Sequence, residues 1–230
     1  MQHFPIFLNL ADQRVVVSGG GEAALAKLRL LLKTEARIDV FSAAPSADVL
    51  RLAADGRIVL TRRALMAGDA TGAALFYAAN EDDAVDQAVA ALARADGALV
   101  NIVDNLADSA FITPAIVDRD PVTIAVGTEG AAPVLARQIK ADLEERLPAS
   151  LGALARIGKA FRHAADILPM GRKRRDFWAD YYNGEGARAH ATGGKAAAER
   201  LLGDLLDRHV MATTRKGHVD LVGAGPGDPD

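Results

Sequence analysis

Hydrophobic and polar positions change period repeatedly along the first hundred residues. Val15-Val16-Val17 is a β-branched run that breaks into Gly19-Gly20-Gly21. Leu25, Leu28, Leu31 and Leu32 then recur at helical spacing, which predicts a helix with one apolar face laid on a sheet. Arg37 to Phe41 alternates and is rich in branched or aromatic residues, so it reads as a second strand. Ser46 is placed to N-cap a helix ending near Gly56, and Ile58 to Thr61 and Leu75 to Ala79 read as third and fourth strands. Asn80-Glu81-Asp82-Asp83 opens another helix, where acidic side chains complement the N-terminal dipole, and Gly97 closes it before a fifth strand, Ala98 to Val103. Strands alternating with helices in this way predict an α/β fold with a parallel, doubly wound sheet and right-handed crossovers.

The pattern changes at Asp104. Phe111 to Val117 and Val122 to Val126 are strand-like runs separated by Asp118-Arg119-Asp120-Pro121, which predicts a hairpin. Pro133 begins a helix whose apolar side includes Val134, Leu135, Ile139 and Leu143. Beyond Pro148 only helical patterns and loops follow, over Leu151 to Ile167, Arg172 to Tyr182 and Ala196 to Val210. The expected organisation is a nucleotide-binding sheet domain (1–112), a hairpin-and-helix dimerisation element (113–147), a small all-helical domain (148–215) and a terminal segment (216–230). An added hairpin whose edge needs covering is the reason to expect dimerisation through the middle element. The stretch Gly217 to Asp228 reads as a fresh strand running into a second glycine-rich turn.

Composition changes this picture little. The 230 residues are 50% hydrophobic and 25% charged, an ordinary globular balance, and a net charge of −3 offers no global case for nucleic acid or a membrane surface. The absence of cysteine removes thiol chemistry, disulfides and Cys-based metal sites. The apolar start, Met1 to Leu10, lacks a basic leader and a cleavage pattern, and Asp12 and Arg14 follow too soon for a span, so a cytoplasmic protein is expected. The five histidines, His3, His163, His190, His209 and His218, show no ligand spacing, and no resting metal site is expected.

Candidate chemistry begins at the glycine turn. Gly19, Gly21 and Ala24 fit the dinucleotide fingerprint G-x-G-x-x-G/A between a strand and a helix, as in Rossmann-like folds. Gly19, Gly20 and Gly21 would allow close backbone approach to a pyrophosphate, with Glu22 and Ala23 at the helix start. The adenosine ribose is expected near Ser42, Ala43 and Ala44, just beyond the second strand. Asp39 has the fingerprint's spacing but lies inside that strand, too early to reach the ribose. With no arginine immediately after the strand, NAD is favoured over NADP. Asp104 follows the fifth strand at the carboxyl edge, where ligands of doubly wound sheets bind; position alone fits both a general base and a cap of the next turn.

The chain resembles the precorrin-2 dehydrogenase/sirohydrochlorin ferrochelatase module of sirohaem synthase. The resemblance runs through Pro5-Ile6-Phe7, Val17 to Lys27, Asn101-Ile102-Val103-Asp104, Phe111 to Ala115, Pro133 to Arg137 and Arg174-Arg175-Asp176-Phe177-Trp178. Leu221 to Asp228 looks like the opening of the uroporphyrinogen-III methyltransferase domain that follows in trifunctional members. The resemblance implies NAD-dependent oxidation of precorrin-2 to sirohydrochlorin, then insertion of Fe2+ as a substrate, in a homodimer with one site for both steps. It makes Asp104 the candidate general base, and Asn101 and Thr128 candidate substrate-binding residues. Thr128 keeps a hydroxyl where the family has serine, whereas Gly127, Glu129 and Ala132 depart from that loop's usual residues. Glu129 is an unexpected carboxylate beside a polyanionic substrate, either facing solvent or attracting the metal. Arg156, Lys159, Arg162 and the run Arg172-Lys173-Arg174-Arg175 are candidate partners for substrate carboxylates, or a solvated helix face. Two other readings stay open: a dehydrogenase without chelatase activity, and a non-catalytic NAD- or tetrapyrrole-binding dimerisation module.

Overall fold

The computed structural model describes residues 1–212, which form two compact units: residues 1–115 with 127–136, and residues 116–126 with 137 onward. The first unit runs β1 (Arg14–Ser18), α1 (Glu22–Leu31), β2 (Arg37–Phe41), α2 (Ala47–Ala54), β3 (Val59–Thr61), β4 (Ala73–Ala78), α3 (Asp83–Ala95) and β5 (Leu99–Ile102). All five strands are parallel, in the order β3-β2-β1-β4-β5. Val15, Val16 and Val17 are fully buried because helices cover both faces. Val15, Val17 and Tyr77 pack against Leu25 and Leu28 of α1, while Val16, Phe76 and Val100 pack against Val89, Ala90 and Ala93 of α3. Strand order reverses between β1 and β4, which opens a crevice at their carboxyl ends.

The helix starts form as the side chains dictate. Ser46 Oγ accepts from Val49 N–H at 3.4 Å, and Asp82 Oδ1 accepts from Ala84 and Val85 N–H at 3.0 Å each. Such caps satisfy donors that helix geometry leaves unpaired.

The hairpin strands are β6 (Ala115–Arg119) and β7 (Val122–Val126), joined through a cis Asp120–Pro121 peptide. Pairing therefore begins later than the expected Phe111. Phe111 and Thr113 are instead tied to the large sheet by side chains: Phe111 O accepts from Asn101 Nδ2 at 2.8 Å, and the Thr113 hydroxyl lies 3.5 Å from the Tyr77 hydroxyl. Pro114, which has no N–H to offer a ladder, sits just before β6.

Then follow α4 (Pro133–Arg146), α5 (Leu151–Phe161), a 3-10 turn (Ala164–Ile167), α6 (Arg172–Asp180), a wide turn (Tyr181–Glu185) and α7 (Gly186–Ala212). The helix expected over Leu151 to Ile167 thus ends early, the one over Arg172 to Tyr182 stops at Asp180, and α7 starts before Ala196. Gly184, at φ 126°, breaks the chain before α7; Gly193 and Gly194, with non-helical angles, break α7 itself. Leu154, Ile157, Phe177, Tyr181, Leu202 and Leu205 form this unit's core. The strand expected over 217–228 lies outside the described residues. Among the described residues no helix is long and apolar enough to cross a membrane.

Candidate active site

The glycine turn is built by close approach. A Cβ on Gly19 would lie 2.0 Å from Ala79 O, and Gly19 has φ 126°, so the loops after β1 and β4 can touch only through a glycine. A Cβ on Gly20 would lie 2.8 Å from Pro45 Cα, while Gly20 O accepts from Ser46 N–H at 2.9 Å. Three loops thereby converge on a cavity of about 370 Å³, lined by Gly19, Gly20 and Gly21 after β1, Ser42, Ala43 and Ala44 after β2, and Glu81 after β4. This gathers six of the expected cofactor residues at the switch point. Glu22 and Ala23 open α1 beside it without lining it. The stripped backbone of Gly19 and Gly20 and the start of α1, whose cap Gly21 carries no side chain, suit a dinucleotide's pyrophosphate.

Asp39 does not line the cavity; its carboxylate accepts from Arg14 Nε at 2.7 Å. Arg63 lies over the ring of Phe41, 5.3 Å from the centroid, and forks onto Asp69 at 2.6 and 2.9 Å. Hydrogen bonding to Arg63 holds the Asp69 carboxyl below its ordinary value, so this cation is committed within the protein.

Asp104 follows β5 at the same carboxyl edge, exposed and in a left-handed conformation, φ 61°. It is not the cap of the next turn. Asn105 does that work, accepting from Asp108 N–H at 3.1 Å and donating to its carboxylate at 2.8 Å. The Asp104 charge is felt by Lys27 of α1, whose ammonium lies 6.0 Å from the Tyr77 ring centroid. Burial lowers the Lys27 pKa, and Asp104 opposes that in part.

Asn101 is buried in β5, with its amide donating to Phe111 O and its Oδ1 unpartnered among the described residues. Thr128 lies in the loop after β7, which turns through the Ala131 N–H to Thr128 O bond at 2.9 Å. That loop packs onto the turn after Asp104: a Cβ on Gly130 would lie 2.5 Å from Leu106 Cδ2. Glu129 clips the N-terminal segment. Its Oε1 accepts from Gln2 and His3 N–H at 2.9 and 3.1 Å, and its Oε2 meets His3 Nδ1. These bonds, with the His3 side chain first, pull its pKa from 4.5 to about 2.

Of the basic candidates, Arg156 is engaged by Asp120, reaching its Oδ2 at 2.7 Å, and Arg174 by Asp166 Oδ1 at 2.8 Å and Leu168 O. Lys159, Arg162 and Arg175 are exposed in the second unit. Sequence reasoning missed Glu81 and Lys27 as parts of the site. An acidic residue at a helix start already has an explanation, and no local pattern signals the left-handed backbone that turns Glu81 toward the cavity.

Residues 6–115 match a family profile described as putative NAD(P)-binding, and residues 150–206 match one described as the sirohaem synthase dimerisation region. A siroheme synthase of Methylococcus capsulatus is 43% identical over 234 residues, which cover 100% of this chain and 49% of that protein. One from Pseudomonas aeruginosa is 42% identical over 231 residues, covering 100% and 50%. The chain belongs to the sirohaem synthase family. It corresponds to the family's N-terminal module and spans about half the length of the curated relatives it matches. A solved precorrin-2 dehydrogenase superposes with a TM-score of 0.67 over 90% of this chain and 100% of its own, at 20% identity, so this sirohaem synthase module shares its fold.

Proposed function

We propose that this module oxidises precorrin-2 to sirohydrochlorin with NAD+ and then inserts Fe2+, acting as a homodimer. The observation that carries the reading is the shared sheet edge. Asp104 leaves β5 exposed and outside the capping of its own turn, at the same carboxyl edge as the glycine cradle. Bound in the cradle, NAD+ would supply the hydride acceptor. Gly19 and Gly20 would hold its pyrophosphate at the start of α1, and Ser42, Ala43 and Ala44 would hold its ribose. With Arg63 paired to Asp69, the cavity offers no evident claim on a 2′-phosphate, which favours NAD over NADP.

Removing a hydride from a ring carbon of precorrin-2 must be matched by loss of a proton, and Asp104 is the base placed to take it. Metal insertion requires two pyrrole N–H protons to leave as Fe2+ enters, and the same carboxylate serves that step. The pyrrole nitrogens are the iron's ligands. Thr128, in the loop packed on the turn after Asp104, supplies a hydroxyl to the tetrapyrrole. Asn101 acts from beneath by holding Phe111, in the segment that leads into β6, in place.

The test separates the two steps. Asp104→Asn keeps the side chain's size and removes the base, so precorrin-2 oxidation falls by at least about 100-fold. NAD+ binding is retained, because Asp104 does not line the cofactor cavity. An unchanged oxidation rate would remove Asp104 from the mechanism. Anaerobic incubation of sirohydrochlorin with Fe2+ and no NAD+ tests chelation. Insertion faster than without protein is expected, and insertion at the spontaneous rate leaves a dehydrogenase only. A chain that binds NAD+ but performs neither step is the non-catalytic module.

A further inference from the structure

The anion seat at the start of α1 holds a carboxylate of the chain's own. Glu81 Oε1 accepts from Ala23 N–H at 2.8 Å, and a Cβ on Gly21 would lie 2.5 Å from that same oxygen. Both residues belong to the stretch that a pyrophosphate approaches in the dinucleotide fingerprint.

Glu81 is held there by its backbone. It has φ 62°, a conformation uncommon for a residue with a side chain. The residues on either side are anchored: Asn80 donates from its N–H and its amide to Asp86 Oδ1 at 2.9 and 2.7 Å, and Asp82 caps α3. Clamped between these, the side chain of Glu81 crosses from the loop after β4 to the loop after β1.

We propose that Glu81 is an internal occupant of the phosphate seat, which the cofactor must displace, so that dinucleotide binds only when this carboxylate has withdrawn. The inference rests on reading the cavity as the NAD site. A carboxylate and a pyrophosphate drawn to the same N–H donors carry like charge and repel one another. Apparent affinity is then the intrinsic affinity scaled by the fraction of molecules whose seat is open. The loop after β4 thereby sets how tightly the module holds its oxidant.

Isothermal titration of the whole chain with NAD+, inorganic pyrophosphate and adenosine tests this. Glu81→Gln keeps the size and removes the charge; Glu81→Ala empties the seat and guards against a glutamine that still accepts from Ala23. Both variants are expected to bind NAD+ and pyrophosphate about tenfold more tightly than wild type, with Glu81→Ala at least as tight as Glu81→Gln. Adenosine, which carries no phosphate, should bind wild type and variants alike. NAD+ affinity that is unchanged or weakened in both variants overturns the inference, and weakening would mark Glu81 as a partner of the cofactor's hydroxyls instead. Binding by the variants alone supports it. No NAD+ binding by wild type or either variant overturns the cofactor reading together with the inference.

Discussion

Lys27 shows how one side chain links packing to the site. It projects from α1 beside the Tyr77 ring, half-buried, and its pKa falls below 10.5 chiefly because burial disfavours the ammonium. The attraction of Asp104 offsets only part of that. A basic group with a lowered folded-state pKa weakens the fold at every pH below that value, where both folded and unfolded chains carry the proton. Between the lowered value and 10.5 the folded state releases its proton first, so the penalty disappears as pH rises. Lys27→Met fills the same space without a charge. It should raise the melting temperature near neutral pH, and the stability gained by wild type on approaching pH 10.5 should be missing from the variant. Thermal melts across that range measure both, and a variant that melts lower near neutrality would mean that the Asp104 attraction outweighs burial. At this scale the sequence was legible where a residue's role is local, as for Ser46 capping α2 or the glycines crossing between loops. It was illegible where the partner is distant. Glu129 reads as a carboxylate facing solvent or attracting the metal, yet its partners Gln2 and His3 lie over 120 residues away.

Among elements, β1 and β4 were readable because burial on both faces leaves continuous apolar runs, β2 because it alternates, and helices such as α1 because one face alone is apolar. The helical unit was less so. Its breaks fall at glycines whose backbone angles no periodicity reports, Gly184 and the Gly193-Gly194 pair. Glycine has another use at the start of α5, where a Cβ on Gly152 would lie 2.0 Å from Asp120 O and 2.1 Å from Arg119 O. The hairpin turn that supplies those carbonyls is itself fixed. Arg156, one turn along α5, reaches Asp120 Oδ2, and Arg119 donates to Leu147 O and Glu144 O at the end of α4. Neither backbone can give way cheaply, so Gly152→Ala should cost about 2–3 kcal/mol in denaturant unfolding. Gly203 on α7 is the control, because a Cβ there meets nothing within 4 Å. Gly203→Ala should leave the protein as stable or stabilise it by up to about 1 kcal/mol through helix propensity. Equal behaviour of the two variants would show that the hairpin is not held against α5.

For the molecule as a whole, the question is what covers its apolar surface. α4 exposes Val134 at 70%, Leu135 at 49% and Ile139 at 37%, on a helix otherwise dominated by charged and polar residues. The hairpin beside it in sequence has only two strands, which is marginal for a sheet left uncovered. Together with the match of residues 150–206 to a dimerisation region, these features favour a two-fold dimer in which the same patch of each chain meets its copy. The order of elements was legible because each change of hydrophobic period marks a change of partner, from sheet to hairpin to helix. Wild type should sediment at twice the 24.1 kDa chain mass. The double variant Val134→Glu, Leu135→Glu buries two carboxylates at the contact and should sediment at the single-chain mass with an unchanged circular dichroism spectrum. Its NAD+ affinity should match wild type, since the residues lining the cavity belong to the first unit of one chain. A double variant that stays dimeric would move the interface off this face of α4, and a wild-type monomer would leave that face without a partner copy. Loss of NAD+ binding on dissociation would mean that the cavity depends on the second chain.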